Sequence, residues 1–273
     1  MNKGVVSVLV AYLIWGLYPF YFHAMQHVAP AEIVIHRVLW TFALLAVYLF
    51  CSRRWRWIQK AVTDRRTVAV FLMSSVLITA NWSTYTYAIV TNQTLEASLG
   101  YFMNPLVSVL LGTVFLKEKL NKAQMLAIVF ACAGVMWVTF KQGEFPALGL
   151  TLALSFGFYG LVRKMAPLGS LEGLTLETAF AFPVALLATF YFAGNGDLTF
   201  VHGTSWDKFW LIMAGPITTI PLILFAYGLK QVPYSTVGFI QYLSPTMVFF
   251  IGLFFFGEEL QVDRLIGFIL IWA

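Results

Sequence analysis

The sequence predicts an all-α polytopic membrane protein in which ten transmembrane helices form two inverted five-helix repeats. Three observations predict it. Of 273 residues, 60% are hydrophobic and 11% charged, with a mean hydropathy of +0.81, whereas charged residues make up about a quarter of a soluble domain. The apolar residues gather in runs of membrane length, and such runs must be helical, because hydrocarbon offers no partner to an unpaired backbone amide. One of them, EASLGYFMNPLVSVLLGTVFLKEKL from Glu96 to Leu120, returns 140 positions later as a diverged copy: Ser244-Pro245 stands for Asn104-Pro105, Gly252 for Gly112, Phe255 for Phe115 and Glu258 for Glu118.

In order, the runs cover residues 4–23, 31–51, 67–90, 96–116, 123–140, 147–165, 172–193, 208–228 and 234–256. The first lacks the small-residue cleavage pattern of a signal peptide and is expected to be a span. The fourth is roughly 31 Å long at ~1.5 Å per residue, enough to cross a core of ~30 Å. Pro105 at its middle and Pro245 in the copy remove an intrahelical hydrogen bond and are expected to kink their helices, leaving a polar weak point able to face a cavity. Gly112 and Gly252 are expected to let these two helices approach closely. A tenth run starts at Asp263 and stops after eleven residues, so the chain is expected to end inside a truncated last helix. Cys51 and Cys132 sit in separate spans without CxxC spacing, which predicts neither a disulfide framework nor a zinc site.

Orientation follows from the basic residues, since Lys- and Arg-rich loops stay cytoplasmic. With the N-terminus inside, thirteen lie on the cytoplasmic side, three outside, and Arg37 within a span. The longest inner loop, SRRWRWIQKAVTDRR from Ser52, suits an amphipathic turn at the lipid headgroups. The net charge of +5 is therefore read as membrane topology, with membrane lipids and no nucleic acid as partners. The duplication extends to Trp15-Gly16-Leu17-Tyr18 against Phe156-Gly157-Phe158-Tyr159. Residues 1–141 and 142–273 are thus read as two units of five spans each. An odd number turns the second upside down, an architecture found mainly in secondary transporters that alternate access between two sides.

The stretches AYLIWGLYPFYF, PAEIVIHRVLW, Asn81-Trp82, LEASLGYFMNPLVSVLLG, LSFGFYGLVRKM, Glu177, TTIPL and GFIQYLSPTM together resemble the drug/metabolite transporter (DMT) superfamily, its EamA group and the RarD-type permeases within it. The resemblance covers essentially the whole chain. It implies the EamA fold of ten helices in two inverted halves, a bacterial inner membrane location, and export or uptake of small metabolites. It supplies no substrate.

Charged residues at membrane depth are costly, about 2.5–3.5 kcal/mol on insertion scales, and each is a candidate for function. On the second span Glu32 and His36 share one side. Arg37 lies roughly 10 Å inside the boundary, too deep to snorkel, and is expected to face a wet cavity, a substrate anion or Glu96. Glu177 is expected either to pair with Arg163 or Lys164 or to gain and lose a proton, and His36 is the other titratable group. Asn81, Trp82, Tyr101, Asn104, Tyr159, Gln241 and Tyr242 fall at mid-span or near the prolines. They are expected either to line one central cavity for a small amphipathic substrate or to act as interhelical glue. His23 and His27, one turn apart, lack a third ligand nearby, so no metal is expected, and no cofactor. No Walker loop, GxSxG elbow or HExxH occurs, so the chain is not read as an enzyme. The rival readings are a lipid or polyprenol flippase, which shares the fold, and an integral membrane enzyme, for whose interfacial cluster only Glu32 and His36 come close. A homodimer is left open.

Overall fold

The computed structural model describes residues 2–90, 94–142, 145–257, 265, 266 and 269, with side chains described for all of these except 89, 90, 94–99, 141 and 142. All regular structure among them is helical. The order is α1 (Lys3–Gly16), α2 (Tyr18–Ala24), α3 (Pro30–Ser52), α4 (Arg56–Thr63), α5 (Arg65–Val90), α6 (Thr94–Phe115), α7 (Lys122–Gln142), α8 (Ala147–Met165), α9 (Ser170–Gly194), α10 (Thr199–His202), α11 (Ser205–Leu229), α12 (Tyr234–Gln241) and α13 (Leu243–Phe255). Counting α1 with α2 and α12 with α13 as single rods, seven are long and apolar enough to cross a membrane among the described residues, and α6 adds a shorter apolar stretch, Gly100–Phe115. The chain is a multi-pass membrane protein. The helix α8 covers the sixth expected run; the tenth run lies largely outside the described residues.

The prolines act unequally. Pro105 stays inside a continuous α6, whereas the ninth span breaks at Tyr242, one turn before Pro245. Pro245 has no N–H to return to the Gln241 carbonyl, and the Tyr242 N–H tightens onto Phe239 O at 3.4 Å. The first span also breaks, at Leu17, ahead of Pro19, a break not expected from its hydropathy.

Small residues set the closest contacts. Gly149, Ala153 and Gly157 recur at every fourth position of α8, letting α6 approach: a Cβ on Gly100 would come 2.9 Å from Gly149 O, and one on Gly157 would come 2.5 Å from Val107 Cγ1. The fourth and ninth spans do pack together, but the glycine at their crossing is Gly238, where a Cβ would come 2.9 Å from Pro105 O. Gly112 has another role. After α6 the chain turns through a left-handed Lys117 (φ 55°), with Glu118 N–H returning to Gly112 O at 3.1 Å. That turn aims the Glu118 carboxylate at the start of α12, where it accepts from Tyr234 N at 2.6 Å, Ser235 N at 2.8 Å and Ser235 Oγ at 2.7 Å. A side chain at 112 would meet Glu118 Oε2 at 2.9 Å. Gly257, the repeat counterpart of Lys117, is left-handed too (φ 66°).

The α8 and α11 ends next to the arginine-rich loop, here the basic end, are joined by two lysines. Lys164 Nζ donates to Leu229 O at 2.8 Å and Val232 O at 2.6 Å; Lys230 Nζ donates to Ala166 O at 2.8 Å and to Leu168 O. Each lysine caps the C-terminal carbonyls of the other helix. Burial, and then the Arg163 guanidinium, pull Lys230 below the ordinary lysine range. Beside this clasp α4 packs Ala61 and Trp57 against Phe71, Ala166 and Leu176, as an amphipathic helix with its basic residues exposed.

Candidate functional site

The residues expected to line one cavity separate into groups. The first centres on Arg37, which α3 carries two turns in from Pro30. Its guanidinium carbon lies 4.2 Å from the centre of the Trp82 ring of α5 and 5.9 Å from that of Tyr18, and its Nε donates to Thr218 Oγ1 of α11 at 2.9 Å. Tyr18 is fixed in turn by donating to Ile217 O at 2.9 Å. Tyr85 and Tyr101 complete the group, their rings 5.9 Å apart and edge-on, both within electrostatic reach of Arg37. Tyr101 is 44% exposed although it stands in this group. Helices α3, α5, α6 and α11 and the α1–α2 break thus meet around one cation placed over an aromatic ring. Among the described residues no carboxylate pairs with Arg37; the side chain of Glu96, its expected alternative partner, lies outside the described residues.

The second group lies near the basic end. Glu177 on α9 is fully enclosed: Ser74 Oγ donates to its Oε1, Tyr159 OH donates to its Oε2 at 3.3 Å, and Ser75 Oγ donates to its backbone carbonyl at 2.8 Å. Arg163 Nε stands 3.3 Å from Oε1. Of its two expected basic neighbours, Arg163 makes the pair, and Lys164 is committed to the clasp. Tyr159 belongs here and not with Arg37.

The remaining candidates disperse. Asn81 Nδ2 donates to Leu152 O at 3.0 Å and Ser155 Oγ at 3.1 Å, tying α5 to α8 as interhelical glue. Gln241 accepts from Ser108 Oγ at 3.2 Å, and Tyr234 OH donates to Gly157 O at 2.6 Å, so this polar group joins α6, α8 and α12. Among the described residues, Asn104 Oδ1 and Tyr242 OH are buried without a hydrogen-bond partner. His36 turns away from Arg37: its Nδ1 accepts from Trp40 Nε1 at 2.9 Å, its ring lies 4.7 Å from Phe200, and its Nε2 is 3.9 Å from Glu32 Oε1. Glu32 itself accepts from Thr199 N at 2.9 Å and Phe200 N at 2.7 Å, which explains its burial as the anchor of α10. His23 and His27 diverge, the first stacking on Phe256 at 4.7 Å and the second bonding Asp207 at 2.8 Å. Sequence reasoning missed Tyr18, Tyr85 and Thr218, although Tyr18 and Tyr85 stand in the aromatic stretches WGLY and WSTYTY.

The EamA-like transporter family matches residues 2–140 and again 146–273. The "uncharacterized transporter YojE" of Bacillus subtilis is 40% identical over 277 residues, covering 100% of this chain and 92% of its own. Protein RarD of Escherichia coli is 37% identical over 272 residues, with 100% and 92% covered. The "chloramphenicol-sensitive protein RarD" of Pseudomonas aeruginosa is 27% identical over 277 residues, with 99% and 91% covered. A solved crystal structure superposes with a TM-score of 0.68 at 13% identity over 98% of this chain and 94% of that one, a likeness of fold. By these matches along its full length, the chain belongs to the EamA-like transporter family of the drug/metabolite transporter superfamily and is a RarD-type permease.

Proposed function

We propose that this membrane transporter moves small amphipathic organic solutes across the bacterial inner membrane by alternating access, with its N-terminus cytoplasmic and the substrate's anionic group received at Arg37. The observation that carries the reading is the Arg37 guanidinium held on Trp82 by Thr218 at membrane depth, ringed by Tyr18, Tyr85 and Tyr101. A charge at that depth is costly unless it is used. The rings offer a stacking surface for an apolar body, and the guanidinium offers a planar donor fork for a carboxylate. Two further features support alternation: the family matches each half separately, and packing partners exchange under the repeat, α1 with α11 as α8 with α5, α6 with α8 as α13 with α1.

The cycle is proposed to be proton-coupled through Glu177, which is faced by Arg163, Tyr159, Ser74 and Ser75, with Lys230 and Glu172 beyond Arg163. Transport by purified protein in liposomes tests both parts, after a screen of aromatic carboxylates, amines and amino acids, with and without an imposed pH gradient. Carboxylates are expected to be carried in preference to amines, and Glu177→Gln is expected to keep substrate exchange while losing gradient-driven accumulation. Wild-type transport indifferent to the gradient, with Glu177→Gln at full rate, would leave facilitated diffusion. Preference for amines would remove Arg37 from the binding site.

A further inference from the structure

Arg163 is the largest fully buried side chain among the described residues, 1% exposed, yet its hydrogen bonds are poorly used. A guanidinium carries five N–H donors. One nitrogen, Nη2, donates to Ser170 O at 3.0 Å. Nε lies 3.3 Å from Glu177 Oε1 but is not aligned for a hydrogen bond, and both Nε and Nη1 lack an acceptor among the described residues. Glu177 takes its own hydrogen bonds from Ser74 and Tyr159. A buried pair in which each member is bonded mainly elsewhere is a weak source of stability, because desolvation of both charges is offset only when geometry and hydrogen bonding are good. It is well suited to being exchanged.

The surroundings of Arg163 repeat those of Arg37. Its guanidinium carbon lies 5.4 Å from the centre of the Phe71 ring, as that of Arg37 lies over Trp82. Phe71, Ser75, Ile78, Trp82 and Tyr85 follow one another at helical spacing along a single face of α5, with Phe71 and Trp82 roughly 16 Å apart along the axis at ~1.5 Å per residue. Two arginines therefore rest on aromatic rings of the same helix face, one toward each end of the bundle. The duplication adds a second relation: at an offset of 140, Glu177 is the repeat counterpart of Arg37. Where one half presents a cation, the other presents a carboxylate bound to a cation.

We propose that Arg163 is a second station for the substrate's anionic group, at the basic end, and that the Glu177 carboxylate occupies this station when substrate does not. The inference rests on the reading that the protein carries organic anions. Space at Arg163 is limiting: a Cβ on Gly173 would come 1.9 Å from Nη1, so the guanidinium lies flush against the α9 backbone. An incoming carboxylate must therefore take the place of the Glu177 carboxylate instead of adding beside it. The anion passes from one stacked guanidinium to the other along α5, and Glu177 returns to Arg163 on its release.

Equilibrium binding of benzoate, with neutral benzamide as control, to purified protein tests this. At a benzoate concentration too low to displace the tethered Glu177 carboxylate of wild type, Glu177→Gln is expected to take up one more equivalent than wild type, and the double variant Arg163→Gln/Glu177→Gln to lose that equivalent. The double variant removes both members of the buried pair, so neither charge is left uncompensated. Benzamide is expected to show no gain. Equal stoichiometry in wild type and Glu177→Gln, or a gain that persists in the double variant, overturns the proposal. Arg37→Gln separates the two sites. If it abolishes wild-type binding while Glu177→Gln gains nothing, only the Arg37 site stands; if it leaves wild-type binding unchanged while an Arg163-dependent gain is present, only the Arg163 site stands.

Discussion

At the scale of single residues, the two arginines differ in what a substitution removes. A desolvated cation–π contact contributes on the order of 2 kcal/mol, roughly thirty-fold in an affinity. Trp82→Leu is therefore expected to weaken binding of an anionic substrate about thirty-fold, measured as Kd on purified protein. Arg37→Lys replaces the planar donor fork by a point charge, and is expected to lower transport of an anionic substrate, measured as the initial rate in liposomes. Transport by Arg37→Lys at the wild-type rate would contradict that role. Gly173→Ala is expected to cost about 1–3 kcal/mol by overpacking against Arg163, read as a lower melting temperature. Charges were the legible part of the site: Arg37, Glu32 and Glu177 stand out in apolar runs, and each has a built environment. Their partners were not legible, because a mid-span amide serves a cavity or a helix contact equally well, and Asn81 turned out to bind Leu152 O and Ser155. His36 was drawn away from Arg37 by the ~100° step between successive helical residues, which points it at Phe200 and Glu32.

Among the elements, α12 depends most on a residue outside itself. Pro233 at its N-cap makes no side-chain cap bond, and the Glu118 carboxylate supplies the acceptors. Glu118→Ala is expected to cost about 1–2 kcal/mol, the range of a lost cap with its dipole interaction; a melting temperature equal to wild type would show that the cap contributes nothing. The α5 helix begins on Asp64, which accepts from Thr67 Oγ1 at 2.5 Å and Thr67 N at 3.1 Å. The Thr67 hydroxyl, then the Thr67 amide, hold this carboxyl below its ordinary range. A depressed carboxylate stabilises the fold fully above the unfolded value of about 3.9 and loses that contribution as pH falls through the lower folded value. Hydrogen exchange in the first turn of α5 is thus expected to quicken below pH 4 in wild type and to be fast throughout in Asp64→Ala. Helix positions were legible because hydrocarbon permits little else. Which proline breaks its helix was not legible, because a proline's effect depends on whether neighbours can satisfy the freed carbonyl: α6 runs on through Pro105, whereas the chain breaks near Pro19 and Pro245.

For the whole molecule, the distribution of basic residues predicts which end faces the cytoplasm. A cysteine placed in the 52–66 loop is expected to resist an impermeant reagent added from the periplasm and to react in inverted vesicles; periplasmic labelling would reverse the orientation. The reciprocal lysines join α8 to α11 at the basic end, so Lys164→Met and Lys230→Met together are expected to raise labelling of that end without changing the opposite one. The clasp was not legible in the sequence, since lysines near span ends look alike whether they bind lipid, water or a neighbouring helix. Its acceptors are the main-chain carbonyls of Ala166, Leu168, Leu229 and Val232, and every amino acid presents such a carbonyl. No side-chain replacement at those four positions removes the partner atoms. The latch is therefore buffered against mutational drift on its receiving side, and descendants of this sequence can reshape the loop around it freely while only two positions, 164 and 230, carry the specification.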